Sequence, residues 1–169
     1  MVGAPTRSSG PTVTSVIVGD RPLFRRVMGS ALVAPALGTL LYALRVDTVH
    51  SSFVLIAWGG MVFAAVVVAG YAGWHRGALL AGWLGVLIAT LWAYVVTPLV
   101  AHIQGDGFDE RTYGGIRFAM VGYDPLAELE AGLVLGSVLG LLAAIVLGTS
   151  AFAIGAGARW LAGHVDGTG

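Results

Sequence analysis

A chain of 169 residues that is 57% hydrophobic and 11% charged, with a formal net charge of zero, is too apolar for a soluble domain, where charged residues make up about a quarter. Its mean hydropathy of +0.85 belongs to a membrane protein, and the charge balance removes any general argument for a nucleic-acid partner. All nine basic residues are Arg, and the absence of Cys excludes disulfides, thiolate metal sites and thiol redox chemistry.

The apolar residues gather into four blocks, each about long enough for a helix of roughly 20 residues to cross a ~30 Å hydrocarbon core. The expected fold is therefore all-α: a polytopic membrane protein whose residues 20–163 form an antiparallel four-helix transmembrane bundle with one long outer loop. Residues 1–19 are rich in Ser, Thr, Gly and Pro, and they read as a flexible cytoplasmic tail and not as a signal peptide. Arg25 and Arg26 stand before an apolar run as a twin-arginine signal would, but no A-x-A-like cleavage site follows. They read as cytoplasmic anchoring charges.

Asp20 is placed to cap the first helical segment, with Pro22 in a first turn where its missing N–H costs little. The first span covers about 27–44, with Ser30, Ala34 and Gly38 as a small ridge and Pro35 as a kink point. Arg45, Asp47 and His50 make a short polar loop. The second span, about 52–73, carries Gly59 and Gly60 near mid-membrane. Trp74, His75 and Arg76 form a link to the third span so short that the two helices must be antiparallel neighbours.

The third span, about 77–101, has small residues four apart: Gly77, Ala81, Gly85, Ala89, Ala93, Thr97 and Ala101, with Pro98 near its end. The fourth, about 128–158, repeats the pattern in Gly132, Gly136, Gly140, Ala144 and Gly148. A helix turns ~100° per residue, so a spacing of four drifts only ~40° per step and leaves one slowly winding, nearly bare ridge. Such ridges let helices approach closely in lipid, where the solvent supplies no hydrophobic push. The expectation is that the two ridges pack against each other or against another subunit.

Between these spans, residues 104–123 form the outer loop, polar and glycine-rich. Ile116, Phe118 and Met120 alternate with Arg117 and Ala119 beyond Gly114-Gly115, a pattern shared by a hairpin and an interfacial flap. Asp124 followed by Pro125 reads as an N-cap and first helical residue, and Glu128 and Glu130 add negative charge near that helix's positive end. The fourth span closes near Arg159 and Trp160, and residues 164–169 form a second cytoplasmic tail.

Four spans put both termini on one side. That side holds Arg7, Arg21, Arg25, Arg26, Arg76 and Arg159 against Asp20 and Asp166, net +4. The other holds Arg45, Arg111 and Arg117 against seven acids, net −4. The positive-inside rule then places the termini in the cytoplasm of a multi-pass protein of the cell membrane.

No span carries a charge in its central portion, which counts against a proton pump or charged-solute transporter built from this chain alone. The intramembrane hydroxyls of Thr39, Tyr42, Thr90, Tyr94, Ser137, Thr149 and Ser150 read as structural. No phosphate loop or dinucleotide fingerprint is present, and no cofactor is predicted. A metal would draw on His50, His102, Asp106, Asp109 and Glu110, whose imidazoles and carboxylates suit zinc, copper or iron but match no known spacing. The helix-packing residues singled out are Gly77, Ala81, Gly85, Ala89, Gly132, Gly136, Gly140 and Gly148.

The partners expected are the lipid bilayer, further copies of the chain and other membrane subunits. The leading functional reading is a noncatalytic structural or accessory subunit of a membrane complex. A small-solute transporter or channel component is the alternative, and a membrane redox or metal-dependent enzyme using the outer His and carboxylate cluster is the third.

Overall fold

A computed structural model describes residues 13–19, 21–44, 52–75, 77–105 and 124–165. Among these residues the regular elements are helices: α1 (Val13–Val18), α2 (Arg21–Ala43), α3 (Ser52–Trp74), α4 (Leu79–Gln104), α5 (Pro125–Ala143) and α6 (Thr149–Val165). A π-helical turn, Ala144–Gly148, joins α5 to α6 without a break. Four helical stretches are long and apolar enough to cross a membrane: Val16–Ala43, Leu55–Trp74, Leu79–Gln104 and Pro125–Val165. They pack together, and the protein is a multi-span membrane protein.

The bundle is organised around α4, which contacts every other helix. Its buried positions are mostly small: Ala81, Gly82, Gly85, Ala89, Ala93 and Ala101. Large side chains inside are few, chiefly Met61, Val86, Trp92 and Val96. The outer surface is the reverse, with Ile56, Phe63, Val134, Val138, Leu141 and Leu142 exposed. Small residues inside and large apolar ones outside is the arrangement expected when the solvent is lipid.

The directions follow from neighbouring glycines. Gly82 lies on Ala69 and Gly85 on Ala65, so α3 and α4 are antiparallel. Gly85 also meets Ala31, and Gly38 meets Trp92, so α2 runs parallel to α4. Down the other side, Gly132 meets Tyr94, Gly136 meets Leu91, Gly140 meets Leu87 and Gly148 meets Trp83, which makes α5 antiparallel to α4. The two small-residue ridges therefore do not face each other. Gly132, Gly136, Gly140 and Gly148 lie on large residues of α4, while Gly85 of the α4 ridge lies on Ala31 of α2 and Ala65 of α3. Two bare ridges set together would leave little to fill the seam, whereas knobs seated along a groove reach interior packing density.

Past the π turn the last helix changes partner. A strict spacing of four winds the ridge by ~40° per step, and the wider turn, with i→i+5 bonding, interrupts that drift. Gly148 still rests on Trp83, and α6 then crosses α3, where a Cβ at Gly155 would fall on the Gly70 carbonyl oxygen and one at Gly73 on that of Phe152. Arg159 Nη1 donates to Trp74 O over 2.8 Å, satisfying a carbonyl at the end of α3. Trp83 Nε1 donates to Thr149 Oγ1 over 3.1 Å just beyond the π turn.

Several boundaries differ from the sequence reading. Helix α2 begins at Arg21, six residues before the apolar run, and Val13–Val18, within the stretch read as a tail, is helical. Gly19, at φ +67°, is tucked against Ala78, where a Cβ would lie 2.5 Å from the Ala78 nitrogen. Both prolines lie inside their helices: α2 continues through Pro35, and α4 runs past Pro98 to Gln104 before Gly105, at φ 71°, caps it. Asp20, the Arg45–His50 loop, Arg76, residues 106–123 with their hairpin pattern, and residues 166–169 lie outside the described residues.

Candidate functional site

The end of the bundle where α2 and α4 finish and α5 begins, here the distal end, carries Thr97, Gln104, Asp124 and Glu128. Asp124, in extended conformation, accepts from Leu126 N at 3.2 Å and Ala127 N at 3.4 Å. With Pro125 at the first helical position, this cap sets the phase of the helix from its first turn. The phase decides which face Glu128 occupies. Its N–H donates to Asp124 O at 3.1 Å.

Glu128 is 2% exposed and is the largest of the fully buried side chains. The sequence reading took it as charge near a helix terminus and did not place it inside. The signal was present: the spacing Gly132, Gly136, Gly140, Ala144, Gly148, continued four residues backward, lands on Glu128. The carboxylate heads the ridge, and every residue of that row is buried.

The opposing face of α4 can be followed in the same way. Trp83, Leu87, Thr90, Leu91 and Tyr94 meet the glycines of the last helix. The next turn of that face is Thr97, Pro98 and Ala101, all buried, and this register sets them level with Glu128. Thr97 is 3% exposed, and its Oγ1 makes no hydrogen bond. The Tyr42 hydroxyl of α2 approaches Thr97, but the pair falls outside hydrogen-bond geometry. Pro98 has no N–H, so the Tyr94 carbonyl lacks its usual intrahelical donor. Gly132 backs onto that oxygen, close enough that a Cβ there would lie 2.5 Å away. At the same end Gln104 Nε2 donates to Ala43 O at 3.2 Å, tying α4 to α2.

Comparison with protein-family models, curated proteins and solved structures returns no match. The site must be read from its own chemistry.

Of the metal candidates, His102 is exposed on the last turn of α4, and His50, Asp106, Asp109 and Glu110 lie outside the described residues. Among the described residues no three His, Asp or Glu stand together as a metal group would. At the opposite end, His75 lies beside Tyr71 with ring centroids 4.4 Å apart, and His164 lies 4.1 Å from Trp160 in the same way. Two of the intramembrane hydroxyls serve as links between helices. Thr39 Oγ1 donates to Pro35 O at 2.8 Å and accepts from Trp92 Nε1 at 2.9 Å, and Thr149 accepts from Trp83.

The small residues singled out in the sequence divide by environment. Gly77, just before α4, and Ala81, Gly85 and Ala89 on it are buried, and Gly132, Gly136, Gly140 and Gly148 are buried on the last helix. Gly59 and Gly60, by contrast, are exposed in the middle of α3, with nothing within 4 Å of where a Cβ would sit.

Proposed function

We propose that this chain is a noncatalytic integral membrane subunit, structural or accessory in role, that assembles through its lipid-facing helices with further copies or with another membrane subunit. Both termini face the cytoplasm in this reading, residues 1–19 and 164–169 serve as tails, and the small-residue ridges hold the bundle together. The observation that carries the proposal is the pair Gly59-Gly60, uncovered among the described residues, with exposed Ala64 one turn further on. Each glycine inside a helix costs roughly 0.5–1 kcal/mol relative to Ala. Gly38, Gly73, Gly82, Gly132 and Gly155 offset that cost by admitting a neighbour that a Cβ would strike. Gly59 and Gly60 admit nothing among the described residues, and a small-xxx-small surface at mid-membrane suits a second helix.

The test is the assembly state in mild detergent and in native membranes. Wild type is expected to run as an oligomer or with a stoichiometric membrane partner, and Gly60→Leu to lose that association while remaining folded. A monomeric wild type without a stoichiometric partner overturns the proposal. A solute-transport reading draws on Pro35 and Pro98, buried prolines inside two adjacent helices, as hinge points. Failure of solute flux in liposomes would remove it.

A further inference from the structure

We propose that the end of the bundle opposite Glu128 binds the phosphate of an anionic phospholipid headgroup, in a site built on Arg159 where α6 crosses α3. This goes beyond the assembly role and does not depend on it. Bare backbone at Gly70, Gly73 and Gly155 lets the two helices meet closely, and Arg159 follows Gly155 by one turn. The crossing thus sets the guanidinium against the last turn of α3. There Arg159 Nη1 donates to Trp74 O over 2.8 Å. A guanidinium carries several N–H donors in a rigid fork, and among the described residues Arg159 makes no other hydrogen bond or ion pair. One bond holds the fork in place, and the rest of it stays open to an anion.

The surroundings favour a lipid, and a negative one. Trp74 and Trp160 flank this guanidinium and are 42% and 58% exposed, and exposed indoles settle at headgroup depth. Arg21, Arg25 and Arg26 stand exposed at the same end, in the first turns of α2, whereas the described acids, Asp124, Glu128 and Glu130, stand at the other. Even with Asp20 and Asp166 counted, the sequence leaves this side at net +4. Helix dipoles do not set the sign, because α2 and α4 begin here while α3 and α6 finish. Arg and phosphate pair through parallel N–H···O bonds. The choline of a zwitterionic lipid would bring a further cation to an already positive surface, which selects the anionic class.

The experiment follows thermal unfolding of the purified full-length protein by tryptophan fluorescence in phosphatidylcholine nanodiscs, with phosphatidylglycerol replacing phosphatidylcholine stepwise at constant ionic strength. Wild type is expected to gain a saturable rise in Tm with phosphatidylglycerol, and Arg159→Gln to lose it. Arg159→Lys keeps the charge without the fork and should raise the half-saturating share about tenfold, the loss expected of one charge-assisted bond. Arg25→Gln removes a charge from the same end without touching the fork, and it should shift that share by less. Inorganic phosphate added to phosphatidylcholine nanodiscs should leave Tm unchanged. If Arg159→Gln does not fold, Arg159→Lys and Arg25→Gln decide. A wild type indifferent to phosphatidylglycerol overturns the proposal, as does an Arg159→Gln protein that keeps the response. An Arg25→Gln shift as large as that of Arg159→Lys would mean diffuse charge and no site, and a rise with inorganic phosphate would mean a free anion and no lipid. Either result overturns it too.

Discussion

Replacing Gly132 with Ala adds one methyl group where α5 lies against α4. The new Cβ would stand 2.5 Å from the Tyr94 carbonyl oxygen and 3.3 Å from its carbon. A carbon and a carbonyl oxygen settle at about 3.3 Å or more, so the seam must open locally by about 0.8 Å. The obstructing atom is backbone and cannot swing aside. A gap of that size forfeits about a quarter to a half of each atom pair's attraction, itself about 0.1–0.2 kcal/mol. Over roughly thirty pairs in the adjoining turns the loss is about 1–3 kcal/mol, with a middle value of about 1.7, within the usual range for overpacking. Against it stands the gain of about 0.5–1 kcal/mol for Ala over Gly in a helix. The net expectation is a loss of about 1 kcal/mol.

Gly157 is the control, because it is exposed with nothing within 4 Å. Gly157→Ala should stabilise by about 0.5–1 kcal/mol. Gly136→Ala should fall between the two, since its nearest neighbours are Leu91 Cδ1 and Tyr94 Cβ at 3.0 Å, side-chain atoms that can yield. Equilibrium unfolding in mixed micelles, followed by far-ultraviolet circular dichroism, resolves differences of this size. If Gly132→Ala and Gly157→Ala shift stability in the same direction, the steric argument for the seam fails.

Two further expectations concern the α2–α4 contact and the topology. Trp92→Phe and Thr39→Val each break the 2.9 Å bond between α4 and α2, and a double-mutant cycle in the same micelles should give a coupling of about 0.6 kcal/mol, typical of interhelical bonds in lipid. A coupling of zero would mean that the bond contributes nothing net. The chain contains no Cys, so single cysteines at Arg7, Asp47 and Asp166 can be labelled from one side of the membrane. Positions 7 and 166 are expected to react only from the cytoplasmic side and position 47 only from the other, and the opposite pattern would reverse the charge-based orientation.

The fold class was legible because lipid leaves few options. A backbone crossing hydrocarbon must satisfy its own hydrogen bonds, so four long blocks without central charges become four helices. Their ends were less legible. Apolarity marks where a helix lies in lipid, not where it stops, and hydrogen bonding carries α2 back to Arg21 and the last helix on to Val165. The four-residue spacing identified which faces were bare but not what they would meet. The neighbours of Gly132 to Gly148 are Tyr94, Leu91, Leu87 and Trp83, bulky residues that a search for small ones passes over. Glu128 was missed because its charge made it read as part of the polar surface, although it belongs to the buried row by phase. The approach of Tyr42 on α2 to Thr97 on α4 joins two helices far apart in sequence and has no signature in one stretch of chain.

The length of the last helix has a consequence for the membrane itself. From Pro125 to Val165 it holds 41 residues, about 60 Å at 1.5 Å per residue, against roughly 40–45 Å for a bilayer with its headgroups. Even the part ending at Arg159, about 52 Å by the same rise, leans by about 30–40° if it lies within that thickness. Hydrophobic mismatch thus acts on this helix more than on α3 or α4, and a thinner bilayer asks it for a steeper lean. Such a lean turns α6 on α3 at the crossing of Gly73 and Gly155, where bare backbone leaves no side chain to act as a cushion. Bilayer thickness therefore becomes a force on one glycine contact.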